Sequence, residues 1–171
     1  MLASDFIAAV VPDILFTVGL IFFLHWFAKG KHIPILVDVL IVLAMVLHLA
    51  GSFGLYAHFL FGVIGYDKLV HFVSGAAMMA YALVVLFEKY PRRYVFALLI
   101  LLGAGAITEL LEFIGTYYFG IDNGGIFAIS DSLPIVSGLQ RYDTYFDMLT
   151  NLIGGMVTMV FVIGYRNLRK K

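Results

Sequence analysis

Repeated apolar runs, each about as long as a bilayer is thick, constrain this chain more than any other feature. Five stand out, at about 6–28, 33–50, 69–87, 94–118 and 145–165. A helix needs roughly 20 mostly apolar residues to cross a hydrocarbon core of about 30 Å. Helices are expected because a lone strand would leave its backbone groups unsatisfied in lipid. Composition agrees: 63% of the 171 residues are hydrophobic and 13% charged, with a mean hydropathy of +1.01, whereas soluble domains carry roughly 25% charged residues. A soluble fold of this size could not hide so much apolar surface. The expected architecture is an all-α integral membrane bundle of about five transmembrane helices, one domain over 1–171, multi-pass in the cell (inner) membrane.

Other classes drop out quickly. There are no cysteines, which excludes disulfides, thiolate zinc sites and cysteine nucleophiles. The formal net charge is zero and no basic stripe is present, so nucleic acid is not an expected partner. Asp5 and Asp13 stand where a cleavable signal peptide would carry basic residues, and the first run is long enough to span. Gly51–Tyr66 is apolar but glycine-rich; it reads as a broken, interfacial continuation of the second span, with a re-entrant loop as the alternative.

Lysine and arginine set the expected orientation. Lys29, Lys31, Lys89, Arg92, Arg93, Arg166, Arg169, Lys170 and Lys171 fall on one side, and only Lys68 and Arg141 on the other. The N-terminus is therefore expected outside and the C-terminus in the cytoplasm. Acidic residues run the opposite way: Asp38 and Glu88 lie toward the cytoplasm, while Asp5, Asp13, Asp67, Glu109, Glu112, Asp122, Asp131, Asp143 and Asp147 lie toward the outer side. Acidic residues contribute little to topology, so this bias needs its own explanation.

Three spans carry polar stripes. The third opens with Asp67 and His71, the fourth ends with Glu109 and Glu112, and the fifth opens with Asp143, Asp147 and Asn151. Spacings of three and four put side chains on one helical face. Counting from Tyr94, the helical rise puts Glu109 roughly 22 Å and Glu112 roughly 27 Å across. His71 and Asp147 lie roughly 6 Å below Asp67 and Asp143. The motifs thus reach similar depths in the outer third of the membrane. A charged carboxylate at mid-membrane is unfavourable by about 2.5–3.5 kcal/mol on insertion scales, so shared protons, a paired cation, water or a metal is required. Carboxylates with a histidine suit Mg²⁺, Mn²⁺, Fe or Zn²⁺. Glu-x-x-Glu from one helix is akin to the carboxylate-bridged sites of helical bundles.

Each residue also has a structural reading. Asp67 and Asp143 begin helices, where a carboxylate caps free amides. His71 alone reads equally as an interhelical hydrogen-bonding group. Glu109, Glu112 and Asp147 lie within spans, where carboxylates are functional by default. Asp13, His48 and His58 are secondary candidates, whereas His25 and His32 read as solvated. Gly75, Gly103, Gly105, Gly154 and Gly155 read as close-approach points between helices, the methionines as packing. The connection 120–142 reads as an outer loop over a polar cavity, in which Arg141 either contacts phosphate or pairs with an acid.

At these residues the chain resembles two groups of small bacterial and archaeal membrane proteins. DKLVHFVSGAAMM, Asp67–Met79, looks like the Asp-x-x-x-His-Phe helix start of YjdF-like and VanZ-like proteins. TELLEF, Thr108–Phe113, resembles the Glu-Leu-Ile-Glu-Trp segment of the YjdF-like family, with Phe113 in place of tryptophan. YDTYFDMLTNLIGG, Tyr142–Gly155, is similar to that family's Trp-Asp-x-x-x-Asp-Met segment and to a VanZ-like Asp-x-x-x-Asn-x-x-Gly ending at Asp147, Asn151 and Gly154. Gln140 and Arg141 match the VanZ-like Gln-Arg only loosely. The resemblance implies the fold and the important residues, not a reaction.

The leading functional expectation is an outward-facing, metal-dependent hydrolase acting on a lipid or lipid-linked headgroup. His71, Glu109, Glu112, Asp143 and Asp147 would hold the metal, with Glu109 or Asp147 as general base; Asp67, Asn151, Asp13, His48, His58 and Arg141 form a second tier. The alternatives are a proton- or cation-coupled transporter, with a homo-oligomer supplying the missing internal repeat, and a scaffold whose acids merely pair Lys68 and Arg141.

Overall fold

The computed structural model describes residues 3–28, 30–60, 64–119 and 139–168. For some of these, among them Glu112, Arg141 and Asp143, only the backbone is described. Five α-helices account for nearly all of it: α1 Ala3–Phe27, α2 Ile35–Ser52, α3 Tyr66–Tyr81, α4 Arg93–Phe119 and α5 Leu139–Leu168. Four helical stretches, Ile35–Ser52, Tyr66–Leu86, Arg93–Leu111 and Thr144–Leu168, are long and apolar enough to cross a membrane, and Asp13–Phe27 adds a shorter apolar piece of α1. The chain is an all-α, multi-pass membrane protein.

Helix α3 is the centre. Over its span 56% of residues are buried inside the protein, against 17–33% for the other three long spans. One core joins it to α1 and α2 through Ile21, Leu24, Ile41, Ala44, Ala77 and Tyr81. A second joins it to α4 and α5 through Met79, Leu83, Ala97 and Leu101. The close-packed pairs are α1–α2, α2–α3, α3–α4, α3–α5 and α4–α5. Large apolar side chains such as Leu15, Phe22, Leu36 and Phe161 point outward, as expected where lipid is the solvent.

Hydrogen bonds pin the neighbours of α3. The Tyr81 hydroxyl donates to the Leu24 carbonyl at 2.5 Å and the Tyr66 hydroxyl to the Leu47 carbonyl at 3.0 Å. Beyond Tyr81 the helix widens into a π turn, Ala82–Leu86. The Lys31 ammonium caps this end, donating to the Val85 carbonyl at 3.0 Å and the Leu86 carbonyl at 3.3 Å. Cations suit a helix C-terminus because its last carbonyls lack intrahelical donors.

Some boundaries differ from the sequence reading. After α2 the chain makes a 3₁₀ turn, Leu55–Ala57, and a two-stranded antiparallel ribbon, β1 Phe59–Leu60 with β2 Ile64–Gly65, pairing Phe59 with Gly65 and Leu60 with Ile64. Helix α5 begins at Leu139, so the end of the expected loop 120–142 is helical and Asp143 lies inside the helix, not at its cap. Asp67 is likewise no cap: Gly65 occupies that position, without a side-chain cap bond. The remainder of that loop lies outside the described residues.

Candidate functional site

Two glycines bring α3 and α5 together. A Cβ on Gly75 would collide with the Asn151 backbone carbonyl, and one on Gly154 with the Phe72 carbonyl. Hydrogen at these positions lets the backbones touch. Running side by side, the helices bring Lys68 and His71 beside Asp147 and Asn151, while Glu109 arrives from α4. Asp67, Glu109, Asp147 and Asn151 are all buried, Asp147 to 3% exposure.

The contacts form one network. The Asn151 amide nitrogen lies 3.1 Å from His71 Nδ1, and His71 Nε2 lies 3.5 Å from Asp147 Oδ1. Lys68 Nζ donates to that same Asp147 oxygen at 2.7 Å and to Asp67 Oδ2 at 2.5 Å. His71, Glu109 and Asp147 each present one ligand atom within 4.8 Å of the other two. Three helices thus converge on one polar chamber.

A second polar cluster lies between α1 and α2. Asp13 is fully buried and its Oδ2 accepts from the Ser52 hydroxyl at 2.5 Å, with His48 Nε2 3.9 Å away. His48 Nδ1 meets the Tyr56 hydroxyl at 2.8 Å, and the Tyr56 ring lies where a side chain on Gly51 would be. Among the described residues, Asp13 Oδ1, Thr17 Oγ1 and His48 Nε2 are buried without a hydrogen-bond partner. Such atoms are uncommon in a finished packing joint, which sets this buried polar cluster apart from the surrounding apolar core.

A cavity of about 150 Å³ lies against both clusters. His48 and Tyr56 line it on one side and His71, Asn151 and Thr108 on the other, with apolar residues below.

The structure therefore sorts the candidates. His71, Glu109, Asp147, Asn151 and Asp67 come together; Asp13 and His48 form the neighbouring cluster. His58 does not join either: it is exposed, and its ring Nδ1 lies 3.1 Å from the Gly54 carbonyl of its own turn. The side chains of Glu112, Asp143 and Arg141 lie outside the described residues. Lys68, treated above mainly as an outer charge, turns out to be central, and Thr17, Ser52 and Tyr56 went unnoticed. The pairs Asp13/Thr17 and His48/Ser52 carry the same spacing of four that marked the other stripes. That signal was available. His25, expected to be solvated, is exposed but lies 3.2 Å from Asp38.

No curated protein and no solved structure matches the chain. A family model described as "Predicted membrane protein (DUF2238)" matches residues 3–168. That is the YjdF-like grouping; the VanZ-like resemblance gains no support from it. A bundle of apolar helices matched over nearly its whole length leads to one conclusion: the chain belongs to the DUF2238 family of membrane proteins.

Proposed function

We propose that the protein is a membrane-embedded, metal-dependent hydrolase acting on a lipid or lipid-linked headgroup, with its site opening toward the outer face. One observation carries this reading: ligand atoms of half-buried His71 and of buried Glu109 and Asp147, from three different helices, lie within 4.8 Å of one another. A divalent ion with bonds of about 2.0–2.2 Å to such atoms draws them to within roughly 4 Å of each other, so a small closure completes the set. The nitrogen and oxygen donors suit Mg²⁺, Mn²⁺, Fe or Zn²⁺. Bound there, the ion would polarise a phosphoryl or acyl oxygen. The Asn151 amide nitrogen donates to His71 Nδ1, which fixes the ring and puts its proton on Nε2 toward Asp147; an ion on Nε2 would displace that proton and turn the Asn151 amide so that its oxygen accepts from Nδ1. Glu109 or Asp147 would take up the proton of the water that attacks the phosphoryl or acyl centre, and return it to the departing oxygen as its bond to that centre breaks.

The test is elemental analysis of the protein purified in mild detergent, beside Glu109→Gln and Asp147→Asn. Bound metal at about one ion per chain, lost in both variants, is expected. Metal content that is nil, or equal in all three proteins, overturns the assignment.

Lys68 favours a second reading. Its ammonium already sits between Asp67 and Asp147, where an added cation would compete with it. In that case the chamber is an internally compensated charge site that exchanges protons or cations, as a carrier would. Flux in proteoliposomes under an imposed pH gradient, abolished by Asp147→Asn, supports this; flux absent alongside intact metal binding rejects it.

A further inference from the structure

The cavity beside the two polar clusters has a definite shape. Its wall on α3 runs from Val70 to Tyr81, about 16 Å along the helix axis. A compact apolar cavity of about 150 Å³ holds a benzene ring. By that measure the enclosed part of this slot takes about six carbons of a single hydrocarbon chain.

Its two ends differ. At one end stand His48, Tyr56, His71, Thr108 and Asn151. At the other, Tyr81 and Leu24 meet, and the Tyr81 hydroxyl is already committed to the Leu24 carbonyl, so this end offers a guest only hydrocarbon. The middle is lined by Leu20, Met45, Met78, Leu101 and Ala104. Gly105 widens the slot: a Cβ there would meet only the Asn151 amide nitrogen at 3.5 Å. Unlike Gly75 and Gly154, it is not required for backbones to touch.

The side walls come from α1 and α4. Among the described residues these two helices are not a close-packed pair, although both line the slot. Both helices turn apolar side chains outward, Val18 and Phe22 on α1 and Ile100 and Ile107 on α4, so a guest from the bilayer would enter sideways between them.

We infer that this slot binds a single alkyl or isoprenyl chain of a membrane lipid, tail toward Tyr81 and polar end between His48–Tyr56 and His71–Asn151. This names the hydrocarbon part of the substrate and rests on the lipid-acting reading above for the headgroup. Burial of each methylene from water favours binding only weakly when the chain starts in lipid; orientation comes from the polar end, where hydrogen-bonding groups would otherwise be costly to leave unmatched.

The experiment uses full-length protein in phosphatidylcholine nanodiscs and a long-chain fatty alcohol carrying a photoactivatable diazirine in mid-chain. Mass spectrometry of the labelled protein should place adducts on Met78, Tyr81, Leu101 or Leu24. Ala104→Phe fills the slot and should lower that labelling severalfold, because the ring takes the space of the chain, with an unchanged melting temperature. Gly105→Leu serves if Ala104→Phe does not fold, and the wild-type adduct map decides if neither does. Adducts confined to outward-facing residues such as Leu99, Val160 and Phe161 overturn the inference, as does labelling of the slot that Ala104→Phe leaves unchanged. The unaltered protein separates the two readings: slot labelling in protein that elemental analysis finds free of metal preserves the chain site and removes the hydrolase, whereas bound metal with indiscriminate labelling does the reverse.

Discussion

Lys68 holds Asp67 and Asp147 from a side chain that is only 19% exposed. Removing one partner of such a buried group leaves uncompensated charge, which costs about 3–5 kcal/mol when burial is complete. Lys68→Met should therefore lower stability toward the low end of that range, measured by thermal unfolding in detergent. If the chamber is a metal site, the same variant should bind divalent ions more tightly, because a competing ammonium is gone; calorimetric titration reads this directly. At the second cluster, Ser52→Ala removes a hydrogen bond to a fully buried carboxylate and should cost about 1.5–3 kcal/mol, again by thermal unfolding. A residue's chemistry was legible from its type and spacing, as with Asp147 and Asn151. Its partner was not: nothing in the order of residues says that Lys68 reaches across to Asp147 while Arg141 is seventy-odd positions further on.

Between elements, register matters most, and glycines set it for α3 and α5. Gly75→Ala pushes a methyl group into the Asn151 backbone, which cannot yield as a side chain would. Overpacking typically costs about 1–3 kcal/mol, and this case belongs at or above the top of that range. Gly103→Ala is the matched control, since its Cβ would meet nothing within 4 Å; there the higher helix propensity of alanine should raise stability by up to about 1 kcal/mol. Unfolding of the two variants side by side checks the contrast. All five glycines read as close-approach points in the sequence; Gly75 and Gly154 lie hard against another backbone and Gly155 against the Leu101 side chain, whereas a Cβ at Gly103 would meet nothing and one at Gly105 only the Asn151 amide at 3.5 Å. Periodicity locates a glycine on its own helix, but which helix it meets depends on packing. The ends of elements were also imperfectly legible: α5 starts at Leu139 because polar residues such as Gln140 and Asp143 extend a helix beyond its lipid-facing run as readily as they form a loop.

For the whole molecule, the lysine and arginine bias makes a prediction independent of the site. With no native cysteine, Ser132→Cys in intact cells should react with a membrane-impermeant maleimide, whereas a cysteine added after Lys171 should react only after permeabilisation. The opposite result would place the acidic chamber on the cytoplasmic side and move the proposed chemistry with it. Membrane residence, helix number and the presence of several acids at one end followed from the linear sequence, because hydropathy, helical rise and residue spacing are properties of single segments. Tertiary structure alone decided that α3 lies at the centre, that His71, Glu109 and Asp147 share one chamber while Asp13 and His48 form another, and that a narrow slot runs beside both. Those facts depend on distances between helices, which are set by where backbones can approach and where side chains leave space, and no single segment carries that information.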